Sequence, residues 1–184
     1  IEVLLIDERP EEVPAWLEAV PNATFALAPA DLPPREQVRV AELALERARR
    51  QVEAGRDVIL ICDSLSRLAV AADGVAEVKR LFGSGRELAE EGAGSLTVIA
   101  TVFASGEDAG EAERAVITTE NALITLDPEL AAEGVEPPVR VTECHAKDED
   151  ALLDSFALSS LRDLRRELAE LDPATAARRL RERV

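Results

Sequence analysis

Apolar residues along this chain fall into two alternating patterns, short unbroken runs and longer stretches at helical spacing, and the alternation predicts an α/β sheet assembled from crossover units. Ile1–Ile6 (IEVLLI) reads as a strand buried on both faces, Pro14–Val20 as a short helix and Ala23–Ala28 as a second strand. From Pro34 to Glu53 the apolar positions Val38, Ala41, Leu45, Ala48 and Val52 recur at the helical period, with Gly55 as the stop. Val58–Cys62 (VILIC) predicts a third buried strand that closes on Asp63. A glycine-containing helical stretch follows from Ser64 to about Glu91, then a fourth strand over Ser95–Phe103. Ala104–Arg114 has no apolar period and reads as a loop; Ala122–Leu126 and Val139–Val141 read as a fifth and a sixth strand. Leu161, Leu164, Leu168 and Leu171 form one helical stripe, and Asp172-Pro173 starts a last helix with a cap and a first-turn proline. This organisation gives an α/β core over residues 1–156 and C-terminal helices over 157–184 packing on the same domain.

Length, 184 residues, suits one core of this kind. No apolar run reaches the roughly 20 residues that cross a bilayer, so a transmembrane role is excluded. Thirty-seven acidic against 21 basic residues leave a net charge of -16, the wrong sign for coating phosphates. Cys62 and Cys144 lack the spacing of a zinc site and suit a reducing cytoplasm. Methionine is absent and Ile stands at position 1, which we read as the mark of a piece of something longer. The charge is unevenly spread: Ser105–Phe156 carries 14 acidic residues against Arg114, Arg140 and Lys147, whereas seven arginines outnumber five acids from Leu161 onward. Those arginines read as a solvated, internally paired helix face, with an RNA or partner contact as the other reading.

In open parallel sheets the ligand crevice lies beyond the carboxyl ends of strands, so two strand ends are candidate chemistry. At the first, Ile6-Asp7-Glu8-Arg9-Pro10-Glu11-Glu12, carboxylates and an arginine follow directly on the apolar run. At the second, Cys62-Asp63-Ser64-Leu65-Ser66-Arg67, a buried strand ends in Asp-Ser. A carboxylate on a rigid strand terminus can hold the water shell of a nucleotide-bound magnesium, and Glu8 could polarise an attacking water. Two other readings stand beside these: Asp63 as a helix cap, and Glu8 as a solvated turn carboxylate. His145 reads as a surface or core-edge residue, Trp16 as packing on the short helix, and Cys62 as core.

Four segments together, LLIDERPEEV (Leu4–Val13), DVILICDSLSRLA (Asp57–Ala69), RLFGSGRE (Arg80–Glu87) and EEGAGSLTVIAT (Glu90–Thr101), resemble the RecA-type ATPase domain of the transcription termination factor Rho family. The likeness runs with gaps from Ile1 to about Leu153. The ATPases of rotary synthases and of flagellar and type III export share its logic but generally have Gly where this chain has Asp7. The resemblance implies a RecA-like P-loop NTPase fold with a mostly parallel sheet flanked by helices and a C-terminal helical segment. It implies ATP and magnesium as cofactors, a homo-oligomeric ring, RNA and RNA polymerase as partners, and the cytoplasm as location. By position, Asp63 matches the aspartate that supports magnesium through water, and Glu8 the glutamate that orients the hydrolytic water. Arg67 matches a strand-exit arginine tied to nucleotide state; Arg9 could pair with a carboxylate or phosphate across a subunit boundary, or equally form a surface ion pair. Arg86 occupies a family basic position.

The departures are as informative as the matches. No GxxxxGK[ST] phosphate loop occurs in these 184 residues, and the resemblance puts that loop just upstream of the strand at Ile1. In that fold the loop's strand lies inside the sheet, so its absence is expected to leave strand edges unpaired and to favour self-association. The segment between Ala72 and Val78, where the family has an RNA-contacting loop, is shortened. The second such loop is replaced by the acidic stretch Ser105–Glu111. Glu143 and Lys147 stand approximately where the family has its trans-acting arginines. Two functions follow: part of the RNA-dependent ATPase and translocase domain of a Rho-like factor, or a Rho-derived assembly or regulatory domain that has lost RNA and ATP functions.

Overall fold

A computed structural model describes residues 1–89, 92–104 and 110–183. The chain divides into two compact units, Ile1–Thr119 and Glu120–Val184. In chain order the first contains β1 (Glu2–Glu8), α1 (Val13–Ala19), β2 (Thr24–Pro29), α2 (Pro34–Glu53), β3 (Val58–Asp63), α3 (Leu65–Ala71), α4 (Ala76–Phe82), β4 (Arg86–Glu87), β5 (Ser95–Ala100) and α5 (Glu111–Val116). Its sheet has the order β2-β1-β3-β5-β4, with the first four strands parallel and β4 antiparallel to β5. The mostly parallel sheet flanked by helices is the fold class the alternation predicts.

Strand alternation sorts the side chains onto two faces with different fates. Leu4, Ile6, Val58, Leu60, Cys62 and Leu96 join the buried faces of α2, α3, α4 and α5 in one core. The stripe on α2 works as its spacing predicts: Ala41, Leu45, Ala48 and Val52 are buried, and Gly55, at φ +82, accepts the left-handed turn that ends the helix. On the opposite face Val3 and Leu5 of β1 are buried, but Leu27, Ile59 and Ile99 are exposed, Ile99 by 54%. β5 pairs with β4 only at Ser95 and Leu96, so the outer edge of Thr97–Ala100 has no strand partner among the described residues.

Near the entry of β1, Glu2 is buried and takes hydrogen bonds from Arg47 at 3.0 Å and from Gln51, both on α2. This ties the solvent side of α2 to β1 and gives a buried carboxylate the partners it requires.

The second unit, described by itself, is built of short pieces: β6 (Ala122–Leu123), α6 (Pro128–Ala132), a 3-10 turn (Val141–Glu143), β7 (His145–Ala146), α7 (Glu149–Leu152), α8 (Ser155–Ala169) and α9 (Pro173–Arg181). Asp127, Asp154 and Asp172 each accept backbone N–H groups at the start of α6, α8 and α9. Leu130, Val135 and Ala177 form its small core. No helix among the described residues is long and apolar enough to cross a membrane.

Several boundaries differ from the sequence reading. The helical stretch after Ser64 is two helices, broken where Asp73 and Gly74 take positive φ, and its end turns into β4. Of the expected loop Ala104–Arg114, residues 105–109 lie outside the described residues and the last four, from Glu111, belong to α5, because Ala112, Ala115 and Val116 pack into the core. The strand expected over Ser95–Phe103 stops at Ala100, which lies in register with Cys62, the last β3 residue that pairs with β5. The expected sixth strand is a single bridge, Val139 to Leu126, followed by the 3-10 turn; His145 and Ala146 pair with β6 instead.

Candidate functional site

β1 does not end as a regular strand. Asp7 has φ +57, and the register against β2 slips between Ile6 and Glu8, so Glu8 rather than Asp7 lies beside Pro29. A bulge of this kind re-aims the side chain that follows it. Glu8 is consequently buried, 5% exposed, which excludes the solvated turn carboxylate as its role.

The partner of Glu8 is Arg67 from α3. Nη1 of Arg67 donates to Oε1 of Glu8 and to the carbonyl of Asp7 at 3.0 Å. One guanidinium therefore grips both the backbone and the side chain at the strand end. The Glu8 carboxyl is nonetheless pushed up to about 7. Burial is the largest cause; a hydrogen bond with Glu12 adds to it, the Arg67 charge opposes it, and the charges of Asp63 and Glu12 raise it further. A carboxylate poised near neutrality suits proton exchange with water.

Asp63 closes β3 next to this pair: Leu5 of β1 lies in register with it. It does not cap the following helix. That position is Ser64, whose hydroxyl accepts from the Arg67 N–H at 3.2 Å. Asp63 Oδ1 instead accepts from Thr101 Oγ1 at 2.6 Å, and the carboxylate is half-buried. Among the described residues no three His, Cys, Asp or Glu side chains converge as a metal cage. A single strand-end carboxylate that holds magnesium through its water shell needs no such cage, and Asp63 fits that duty.

The structure brings Glu8, Arg67 and Asp63 together and leaves the others apart. Arg9 is exposed and has no ion pair among the described residues. Arg86 is exposed on β4 and lines a hollow with Arg49, Glu53, Ser84 and Leu88, none of which belongs to the Glu8 group. Cys62 is buried, and burial pushes its thiol up, as befits a core residue. Glu12, Ser66, Thr101 and Phe103 were not singled out by sequence. Thr101 and Phe103 had no local signal, because they meet Asp63 and Ser66 only through the pairing of β3 with β5.

In the second unit the two residues expected near the family's trans-acting arginines are engaged locally. Lys147 Nζ lies 3.4 Å from Glu120, and Glu143 lies 3.5 Å from Arg140. His145 is 3.8 Å from the same Glu120, which is buried. Four of the seven tail arginines find carboxylate partners: Arg165 pairs with Glu149, Arg166 with Asp163, and Arg179 and Arg183 with Glu167. Most of the acidic stretch expected in place of an RNA-contacting loop, residues 105–109, lies outside the described residues.

No protein-family model matches the chain. Curated proteins do. Transcription termination factor Rho of Rhodopirellula baltica is 35% identical over 207 residues, covering 99% of this chain and 39% of that protein. Rho of Thermotoga maritima is 36% identical over 190 residues, covering 92% of this chain and 43% of that protein. The chain thus spans about two fifths of the length of these relatives. Among solved structures, a prototypical ATPase from the type III secretion system of pathogenic bacteria superposes with a TM-score of 0.81 at 23% identity, covering 92% of this chain and 55% of that one. The assembled ATPase EscN from enteropathogenic E. coli, in complex with its central stalk EscO, gives 0.77 at 22% identity over 92% of this chain and 46% of that one. These likenesses show a RecA-like ATPase fold.

Proposed function

Taking as premise that the chain is a relative of the Rho transcription termination factors along nearly its whole length, we propose that it is part of their ATPase and RNA-translocase domain. The observation that carries this reading is the strand-end group: Glu8, buried and gripped by Arg67, beside Asp63 on the adjacent strand.

In this reading Glu8 is the catalytic carboxylate. Its Oε1 is held by Arg67, and its affinity for a proton, near neutrality, lets it orient a water and take a proton from it. Asp63 would hold magnesium through its water shell, and the bound ion would neutralise phosphate charge. Thr101 fixes the orientation of Asp63 by donating to one of its oxygens. Arg67 serves as the brace of Glu8, and Arg9, exposed and next to Glu8 in sequence, would contact a phosphate or a neighbouring subunit. These 184 residues contain no phosphate loop, so the phosphate cradle would have to come from outside them. Assembly as a ring, contact with RNA and RNA polymerase, and a cytoplasmic location belong to the same proposal.

A second reading, a Rho-derived assembly or regulatory domain without turnover, is favoured by one observation. Lys147 and Glu143, expected near the family's trans-acting arginines, are tied to Glu120 and Arg140 within their own unit. The two readings separate on the intact protein. Magnesium-dependent ATP hydrolysis stimulated by RNA supports the first, and absence of nucleotide binding supports the second.

A further inference from the structure

Beyond β5 the chain continues through Thr101, Val102 and Phe103, past the end of β3, and this exit is tied down residue by residue. The Thr101 N–H donates to the Cys62 carbonyl at 3.1 Å, and the Leu65 N–H donates to the Thr101 carbonyl at 3.0 Å. The Phe103 N–H donates to Oγ of Ser66 at 2.9 Å. Ser66 is fully buried. The backbone of Phe103 is therefore fixed on the first turn of α3, and its ring comes to lie under the Arg67 guanidinium, 5.6 Å from ring centroid to Cζ.

Arg67 is thus held on two sides. Its Nη1 engages Glu8 and the Asp7 carbonyl, while Phe103 offers an aromatic face. A planar guanidinium can stack and donate in its own plane at once, which the point charge of a lysine cannot do. An aromatic face attracts the cation and limits the directions in which the plane can tilt.

We propose that Phe103 is a positioning residue for Glu8: its ring holds the Arg67 plane so that Nη1 stays on the Glu8 carboxylate. The assignment rests on the reading of Glu8 as the carboxylate that orients water, and it extends the site to a residue 95 positions away in sequence, from Glu8 to Phe103.

The test is nitrogen-15 NMR of the Arg67 guanidinium in the 184-residue chain, comparing wild type with Phe103→Leu and Phe103→Trp. Leucine keeps apolar bulk and removes the aromatic face; tryptophan keeps a face. Rotation about the Cζ–Nε bond of Arg67 is expected to be about fivefold to tenfold faster in Phe103→Leu and near the wild-type rate in Phe103→Trp, at unchanged far-ultraviolet circular dichroism. Equal rates in wild type and a folded Phe103→Leu overturn the proposal. If Phe103→Leu does not fold, Ser66→Ala, which releases the Phe103 N–H, takes its place: a faster Arg67 supports the proposal and an unchanged rate overturns it. In the intact protein, Phe103→Leu lowers kcat and leaves KM for ATP in place. Should Arg67 loosen as expected while Glu8→Gln retains full turnover, the reading of Glu8 fails and the bracing of Arg67 stands.

Discussion

At the end of β1 two adjacent residues carry different burdens. Asp7, at φ +57, sits where a β-carbon crowds the backbone, a conformation open to Asp and Asn, easiest for Gly and poor for β-branched residues. Glycine, which lacks the β-carbon, enters this conformation without strain. Asp7→Gly should fold at least as stably as wild type, whereas Asp7→Val should lose about 1–3 kcal/mol in urea denaturation; equal stability of Asp7→Val would mean the residue is not left-handed. Glu8 carries the charge. Burial, above all, raises its carboxyl from 4.5 to about 7, so between those values the folded protein keeps a proton that the unfolded chain releases. Its contribution to stability is complete below pH 4.5 and disappears as pH rises through 7. Glu8→Gln removes this titration. The urea midpoint of wild type relative to Glu8→Gln should therefore fall between pH 5 and 7.5, and a constant difference would refute the raised carboxyl.

At the scale of elements, close approach decides where side chains are tolerated. A β-carbon on Gly94 would stand 2.1 Å from the Arg56 carbonyl, and the Gly94 N–H already donates to Val52 at 2.9 Å. Backbone meets backbone here, so Gly94→Ala must part the turn after α2 from the entry of β5. A loss of about 1–3 kcal/mol is expected in thermal or urea unfolding, and a neutral substitution would contradict the packing. The elements with a long periodic signal, α2, β1 and β3, were legible in the sequence because their own residues supply the buried face. α5 was not, since its three small apolar residues become a face only against α3 and α4. β6 and β7 were not, since two-residue strands are set by each other rather than by composition. The site divides the same way. Asp63 stands out as the first acid after an apolar run and Glu8 as part of the charged cluster that follows Ile6, but Thr101, 38 residues from Asp63, joins it only when β3 and β5 pair.

Across the first unit, the sheet has helices α2–α5 on one face and an exposed apolar surface containing Leu27, Ile59 and Ile99 on the other. Parallel sheets are normally covered on both faces, and the edge of β5 at Thr97–Ala100 also lacks a strand partner among the described residues. The isolated 184-residue chain should self-associate through this surface. Sedimentation velocity is expected to show concentration-dependent assembly that Ile99→Lys weakens while the thermal midpoint stays put; assembly unaffected by Ile99→Lys would place the contact elsewhere. The second unit has the opposite electrostatic habit to Glu8. Asp127 is held below the usual carboxylate range although its burial, the largest influence, works against this, because the Glu129 and Leu130 N–H groups and Arg140 favour its ionised form. Glu149 is lowered by Arg165, and Asp172 by its Thr175 cap contacts. Their stabilising effect is present at neutral pH and is lost as acid protonates them.

One carboxylate, Glu8, carries the proposed chemistry, and the most direct measurement is ATP binding and ATP hydrolysis on the same preparations of intact wild-type and Glu8→Gln protein, with magnesium present. The expected result is unchanged nucleotide affinity and a fall in kcat of about a hundredfold or more for Glu8→Gln. Full turnover by Glu8→Gln, with nucleotide bound as tightly as in wild type, would contradict it.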